Sequence, residues 1–270
     1  MTDFQWKVFC NFKSDFLEYI TSIKNSVPNL REIQEAAAYK SGTPKYNFEN
    51  PLVYNRALDE IKKEDEIKLI VIGDNPGKKE QLNENCRYLV GQAGKIAEGW
   101  FKKNENLDID FRKNVIILNK TPVHSAKTSQ LKLMEQLGGE KVQNLIEESQ
   151  IWMAERTAKL HYELFMNSGT KSNTNEKNHY PQLWLVGYAE LKNKGVFQKY
   201  KETLFNAYKK KDCKELWNSV LVFQHFSMNR FSIDLNDFAL KSSITNETSS
   251  TLQQLLFALG TMHRTEIFAC

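Results

Sequence analysis

Four short apolar runs, each ended by a turn residue or a polar cluster, constrain this chain more than any other feature. They are Ile67-Lys68-Leu69-Ile70-Val71-Ile72, Val115-Ile116-Ile117-Leu118, Leu183-Trp184-Leu185-Val186 and Val220-Leu221-Val222-Phe223. Runs of this length, rich in β-branched and aromatic residues, read as buried strands. Each is separated from the next by enough chain for a crossover helix, and strands that alternate with helical patterns imply parallel pairing. The expected fold class is therefore α/β: a three-layer sandwich with a central, mostly parallel four-stranded sheet flanked by helices.

The remaining chain supplies the helices. Apolar residues recur at Phe4, Val8, Phe9, Phe12, Phe16, Tyr19, Ile20 and Ile23, the 3-and-4 spacing of one helix face, with Thr2 or Asp3 as the cap. A second periodic stretch runs through Tyr39, so residues 1–63 read as an N-terminal helical layer. Further helices are expected near 92–103, 139–166, 195–210, 232–241 and 248–260, with a surface loop over 167–178. No linker divides the chain, which predicts one domain: a core over 67–232 and C-terminal helices over 233–270.

Composition excludes several classes. With 41% hydrophobic and 11% aromatic residues in 270, the chain carries enough apolar material for a packed core, and disorder is excluded. A net charge of +4 permits a nucleic-acid partner without arguing for one. Cys10, Cys86, Cys213 and Cys270 stand singly, without the close pairs that zinc or iron-sulphur sites use, so reduced thiols, a cytoplasmic location and no metal are expected. No stretch approaches the roughly 20 apolar residues of a membrane helix, and no membrane partner is expected.

In open parallel sheets, ligands bind beyond the carboxyl ends of the strands. After the first run comes Gly73-Asp74-Asn75-Pro76-Gly77, after the second Asn119-Lys120-Thr121-Pro122-Val123-His124, and after the fourth Gln224-His225-Phe226-Ser227-Met228-Asn229-Arg230. Singly, each has an ordinary structural reading: a turn, a cap, a packed histidine. Together they bring an acid, two amides, an imidazole and a hydroxyl to one edge. His124 and His161 lack any partner spacing for a metal and read as core or surface residues.

These clusters, with Arg87-Tyr88-Leu89-Val90-Gly91-Gln92-Ala93-Gly94, resemble the uracil-DNA glycosylase superfamily over roughly 67–232. The first motif has the G-x-N-P-G form of the mismatch-specific and single-strand-selective branches; the segment ending Val90-Gly91-Gln92-Ala93-Gly94 is closer to the iron-sulphur branch, whose paired cysteines are missing. The resemblance implies a monofunctional DNA glycosylase without cofactor. It would hydrolyse the N-glycosidic bond of uracil or a related deaminated or damaged base, acting as a monomer on DNA in base excision repair.

The roles implied follow residue by residue. Asn75 would position the attacking water, and Asp74 would act as general base or as a negative charge opposite the oxocarbenium ion. His225 would donate, as a neutral imidazole, to the leaving base. Asn119 would read the base edge, since its amide complements the O4 and N3–H of uracil. Leu89 falls where related segments carry a stacking Phe, with Tyr88 beside it as an alternative. Pro76, Gly77 and Ser227 would meet flanking phosphates, Met228, Asn229 and Arg230 would enter the groove, and Lys78, Lys79 and Lys127 would neutralise phosphates. Phe226 replaces the usual Pro of the late motif. Two other readings stand beside this one: a catalytically silent nucleic-acid binding module on the same fold, and an α/β enzyme acting on free nucleosides or nucleotides.

Overall fold

The four apolar runs form the four strands of one sheet: β1 (Leu69–Gly73), β2 (Val115–Asn119), β3 (Gln182–Val186) and β4 (Val220–Phe223). All pairings are parallel, in the order β2-β1-β3-β4. Apart from Gln182, every strand residue is buried, as a parallel sheet covered on both faces requires. The register pairs Gly73 with Asn119 and Val186 with Phe223, so the strands end level at their carboxyl edge. The computed structural model describes residues 1–168, 180–211, 213–245 and 250–269.

Eight α-helices cover the sheet among these residues. They are α1 (Asp3–Ile23), α2 (Leu30–Lys40), α3 (Gln92–Lys103), α4 (Gln130–Met166), α5 (Gln198–Lys211), α6 (Lys214–Asn218), α7 (Arg230–Thr245) and α8 (Leu252–Phe268). Thr2 caps α1 through a capping box with Gln5, the arrangement that satisfies two orphan amides at once. α4 packs against α1, α2 and α5, while α8 lies against β4 and α7. On the α3 side, Trp184 sits 5.7 Å from Phe101 and 5.9 Å from Phe231, ring centre to ring centre. Phe226, where Pro was expected, is a fully buried member of the same aromatic cluster, 4.8 Å from Phe231.

Two expectations change. The helix expected near 139–166 is present, but a further helical arm over 130–138 precedes it within α4, and the two meet at Gly139, which takes the non-helical φ +63° and ψ −158°. The preceding Gly138 lies so close to Val142 that a Cβ there would fall 2.1 Å from its side chain. The Gly-Gly pair therefore ends the first helical arm and redirects the chain into the second. The late helices run further than expected, to Thr245 and Phe268, and most of the expected 167–178 loop lies outside the described residues. In the N-terminal layer, Phe9, Phe16 and Ala37 are fully buried in the same hydrophobic core as the strands.

Candidate functional site

The carboxyl edge of the sheet is held by a buried ion pair. The Lys120 ammonium, with no exposed side-chain surface, donates to Asp74 Oδ1 at 2.6 Å, to the Val186 carbonyl at 2.5 Å and to the Gly73 carbonyl at 3.2 Å. An ammonium has three donors, and all three are used. Burial pushes the Lys120 pKa down, and the Asp74 carboxylate pushes back. The pair fits because two glycines make room for it. Gly187, at φ +95°, lies against Asp74, where a Cβ would fall 2.2 Å from Oδ1; a Cβ on Gly73 would fall 2.4 Å from Asn119 Oδ1. Both the ion pair and the close approach of β1 to β2 thus depend on missing side chains.

Asn75 is oriented from one side only. Its Nδ2 donates to Ser125 Oγ at 2.9 Å and to the carbonyls of Pro76 and Ser125 at 3.2 and 3.3 Å. Its Oδ1 has no partner among the described residues. The loop carrying it is propped by His124, whose Nδ1–H donates to the Pro76 carbonyl at 2.8 Å while its Nε2 accepts from the Tyr46 hydroxyl at 2.9 Å. Burial pushes the His124 pKa down to about 4, so the ring is neutral, as this donor–acceptor pattern demands. Gln34 of α2 holds the same region through the His124 carbonyl at 2.8 Å.

Asn119, at the end of β2, is 1% exposed, and its Nδ2 has no hydrogen-bond partner among the described residues. His225, half-buried beyond β4, accepts at Nδ1 from the Ser227 backbone N–H at 3.2 Å and from the Ser227 hydroxyl at 2.9 Å. A backbone N–H can only donate, so in the neutral ring the proton sits on Nε2. Burial lowers the pKa of His225; the negative charge of Asp74 opposes this and the positive charge of Lys120 adds to it. The three strand-end clusters therefore meet: Asp74, Lys120 and His225 lie within one another's field, and Gly73 and Asn119 are register partners.

Other expected site residues lie elsewhere or are otherwise engaged. Tyr88 is fully buried, with its hydroxyl donating to the Val53 carbonyl at 2.6 Å and its backbone N–H to Asn55 Oδ1, so its ring offers no face to a base. Leu89 is 4% exposed and takes φ +50°; its carbonyl accepts from Arg112 at 2.8 Å and packs against Gly94. The Gly77 N–H, expected to meet a phosphate, donates to Glu80 Oε2 at 3.0 Å. Glu80 is buried, which pushes its carboxyl up to about 7, while the nearby backbone of Gly77, Leu89, Gly91 and Val90 pulls it back. The Ser227 hydroxyl, the other expected phosphate contact, is bonded to His225.

The loop after β4 is exposed over 228–230. Met228 is 72% exposed, and it and Asn229 take φ +53° and +55°; Arg230, also exposed, opens α7. Pro76 is buried, Lys78 lies 5.5 Å from the Tyr46 ring centre, and Lys79 and Lys127 are exposed. Among the described residues no group of three or more His, Cys, Asp or Glu is placed to hold a metal ion. No helix of the described residues is long and apolar enough to cross a membrane. His161 is a core residue, bonded to Tyr208 and to the Pro181 carbonyl.

Sequence reasoning missed Lys120, Gly187 and Glu80. Lys120 directly follows the strand-end Asn119 and Gly187 directly follows the third apolar run, positions at the sheet edge that do not by themselves reveal an ion pair. A cavity of about 1130 Å³ lies at the opposite end of the sheet, against Lys68, Gln182 and Ser219, and includes none of the motif residues. No family model, curated protein or solved structure matches the chain.

Proposed function

We propose that this chain is a monofunctional DNA glycosylase that hydrolyses the bond between deoxyribose and uracil, or a related deaminated or damaged base. The observation that carries the reading is the Asn119 amide, buried at the sheet edge with a donor that nothing among the described residues satisfies. An unsatisfied buried donor costs about 1–3 kcal/mol. Uracil O4 would accept from it, while Asn119 Oδ1 would accept from N3–H; cytosine presents the opposite pattern.

The chemistry then falls to two more groups. Asn75, its Nδ2 tied into the fold, has Oδ1 free to orient a water toward C1′. The water oxygen bonds to C1′, the C1′–N1 bond breaks and the electron pair leaves with the base, which recovers the water's proton through solvent. The His225 Nε2–H would stabilise the anion as it forms at the base O2. Asp74 Oδ1 is taken up by the Lys120 ammonium, and an Asn75-led mechanism is the simpler one. Exposed Met228 and Arg230 would help hold the duplex while the nucleotide is extruded, at a cost of a few kcal/mol. Free thiols at Cys10, Cys86 and Cys213 support a reducing, cytoplasmic setting.

The test is strand scission by alkali after incubation with uracil-containing oligonucleotides, single-stranded and paired opposite G or A. Scission in at least one context is expected, and Asn75→Ala is expected to slow single-turnover base release by about tenfold or more, roughly 1.4 kcal/mol. Intact strands in every context overturn the uracil reading. One observation favours a second reading, DNA binding without base release: neither Tyr88 nor Leu89 presents a stacking face. Salt-sensitive binding with every strand intact selects that reading instead.

A further inference from the structure

We propose that Lys120 is a positioning residue of this site, one ammonium that ties together the ends of β1, β2 and β3 and sets the charge beside His225. Its bonds reach Asp74 Oδ1 and the Gly73 carbonyl at the end of β1 and the Val186 carbonyl at the end of β3, from its own place just beyond β2. The Phe197 ring lies 4.9 Å from the nitrogen. With three donations and no exposed surface, the nitrogen has neither a donor for phosphate nor a lone pair for attack on a sugar carbon. An apolar side chain of similar volume would fill the space without the cost of desolvating a charge, so what the ammonium adds is direction and charge.

Direction passes through the chain. Asp74 precedes Asn75, and holding the carboxylate against Gly187 fixes the backbone from which the Asn75 amide projects. Charge acts on His225. The ionised groups acting on the imidazole are Asp74, at the end of β1, and Lys120, beyond β2; Lys120 in turn feels Asp74 and Glu190, in the turn after β3. Lys120 thereby offsets the pull of Asp74 toward a charged imidazole. A neutral ring with its proton on Nε2 is the form that can donate to a departing base while its Nδ1 accepts from Ser227.

The kinetic part of this inference rests on the glycosylase reading; the electrostatic part does not. The experiment is an NMR titration of the His225 imidazole in the full chain, in Lys120→Met and in Asp74→Asn, beside single-turnover base release and DNA affinity. The midpoint is expected to rise in Lys120→Met and to fall in Asp74→Asn, each by about half a pH unit or more. Base release in Lys120→Met is expected to slow about tenfold with DNA affinity little changed. If Lys120→Met fails to fold, Lys120→Gln, which removes the charge but keeps a side-chain donor, takes its place, and its midpoint is again expected to rise. An unmoved midpoint in every folded variant overturns it. So does a borohydride-trapped protein–DNA adduct in the wild type that Lys120→Met lacks, since that nitrogen would then be a nucleophile. A wild type that releases no base sinks the glycosylase reading, and the direction of the midpoint shifts then decides the role of Lys120 by itself.

Discussion

Gly187 contributes by lacking a side chain. At φ +95° it sits where L side chains are strained, and the space a Cβ would take is filled by the Asp74 carboxylate. Gly187→Ala is expected to push Asp74 off Lys120 and cost about 2–4 kcal/mol, read as a lower urea midpoint; an unchanged midpoint would show that the ion pair tolerates displacement. Gly187 was legible in the sequence only as a strand-ending turn. Lys120 was less legible still, because a lysine after a strand reads as solvated, and only in three dimensions do a carboxylate and two carbonyls converge on it. Asn75, Asn119 and His225 were legible because each lies at the end of a strand or two residues beyond it. The burial of Tyr88 was not, since nothing in Arg87-Tyr88-Leu89 tells which side chain faces the core.

Between elements, Glu80 is the tie. Its carboxyl accepts from the Gly77 N–H in the loop after β1 and lies near the backbone of Leu89, Val90 and Gly91 at the entrance to α3. Removing it leaves buried donors unpaired. Glu80→Ala is therefore expected to lower stability by at least about 2 kcal/mol and to release the Gly77 and Gly91 amides to fast hydrogen exchange. Sheet amides that retain their protection in the same sample would localise the effect; unchanged exchange at both glycines would mean the tie is dispensable. The strands were legible because β-branched runs of this length have few alternatives. The boundary at Gly138-Gly139 was legible as a helix break, but the short arm over 130–138 before it was not.

For the molecule as a whole, buried histidines set the response to acid. Burial holds His124 and His161 at about 4 against an ordinary 6.5, and His225 is lowered too. As pH falls below 6.5 the unfolded chain takes up protons that the fold refuses, at up to about 3 kcal/mol for each of the first two by pH 4. Glu80 works the other way: raised to about 7 from 4.5, it binds its proton in the fold first and so adds stability as pH falls through that window. The histidines outnumber it. Tm is expected to fall steadily between about pH 6 and pH 4.5, and a Tm that is flat or rising across that range would contradict the balance.

The prop beneath Asn75 carries one more consequence. Tyr46 and Gln34 reach His124, and His124 reaches the Pro76 carbonyl, so the loop that bears the motif rests on chain from well before the first strand. A minimal version cut to 67–232 would retain Asn75, Asn119 and His225 and lose what holds the first of them in place. Anyone transplanting this site into another scaffold, or trimming it to its smallest working form, must carry the second helix and the segment after it as part of the cargo.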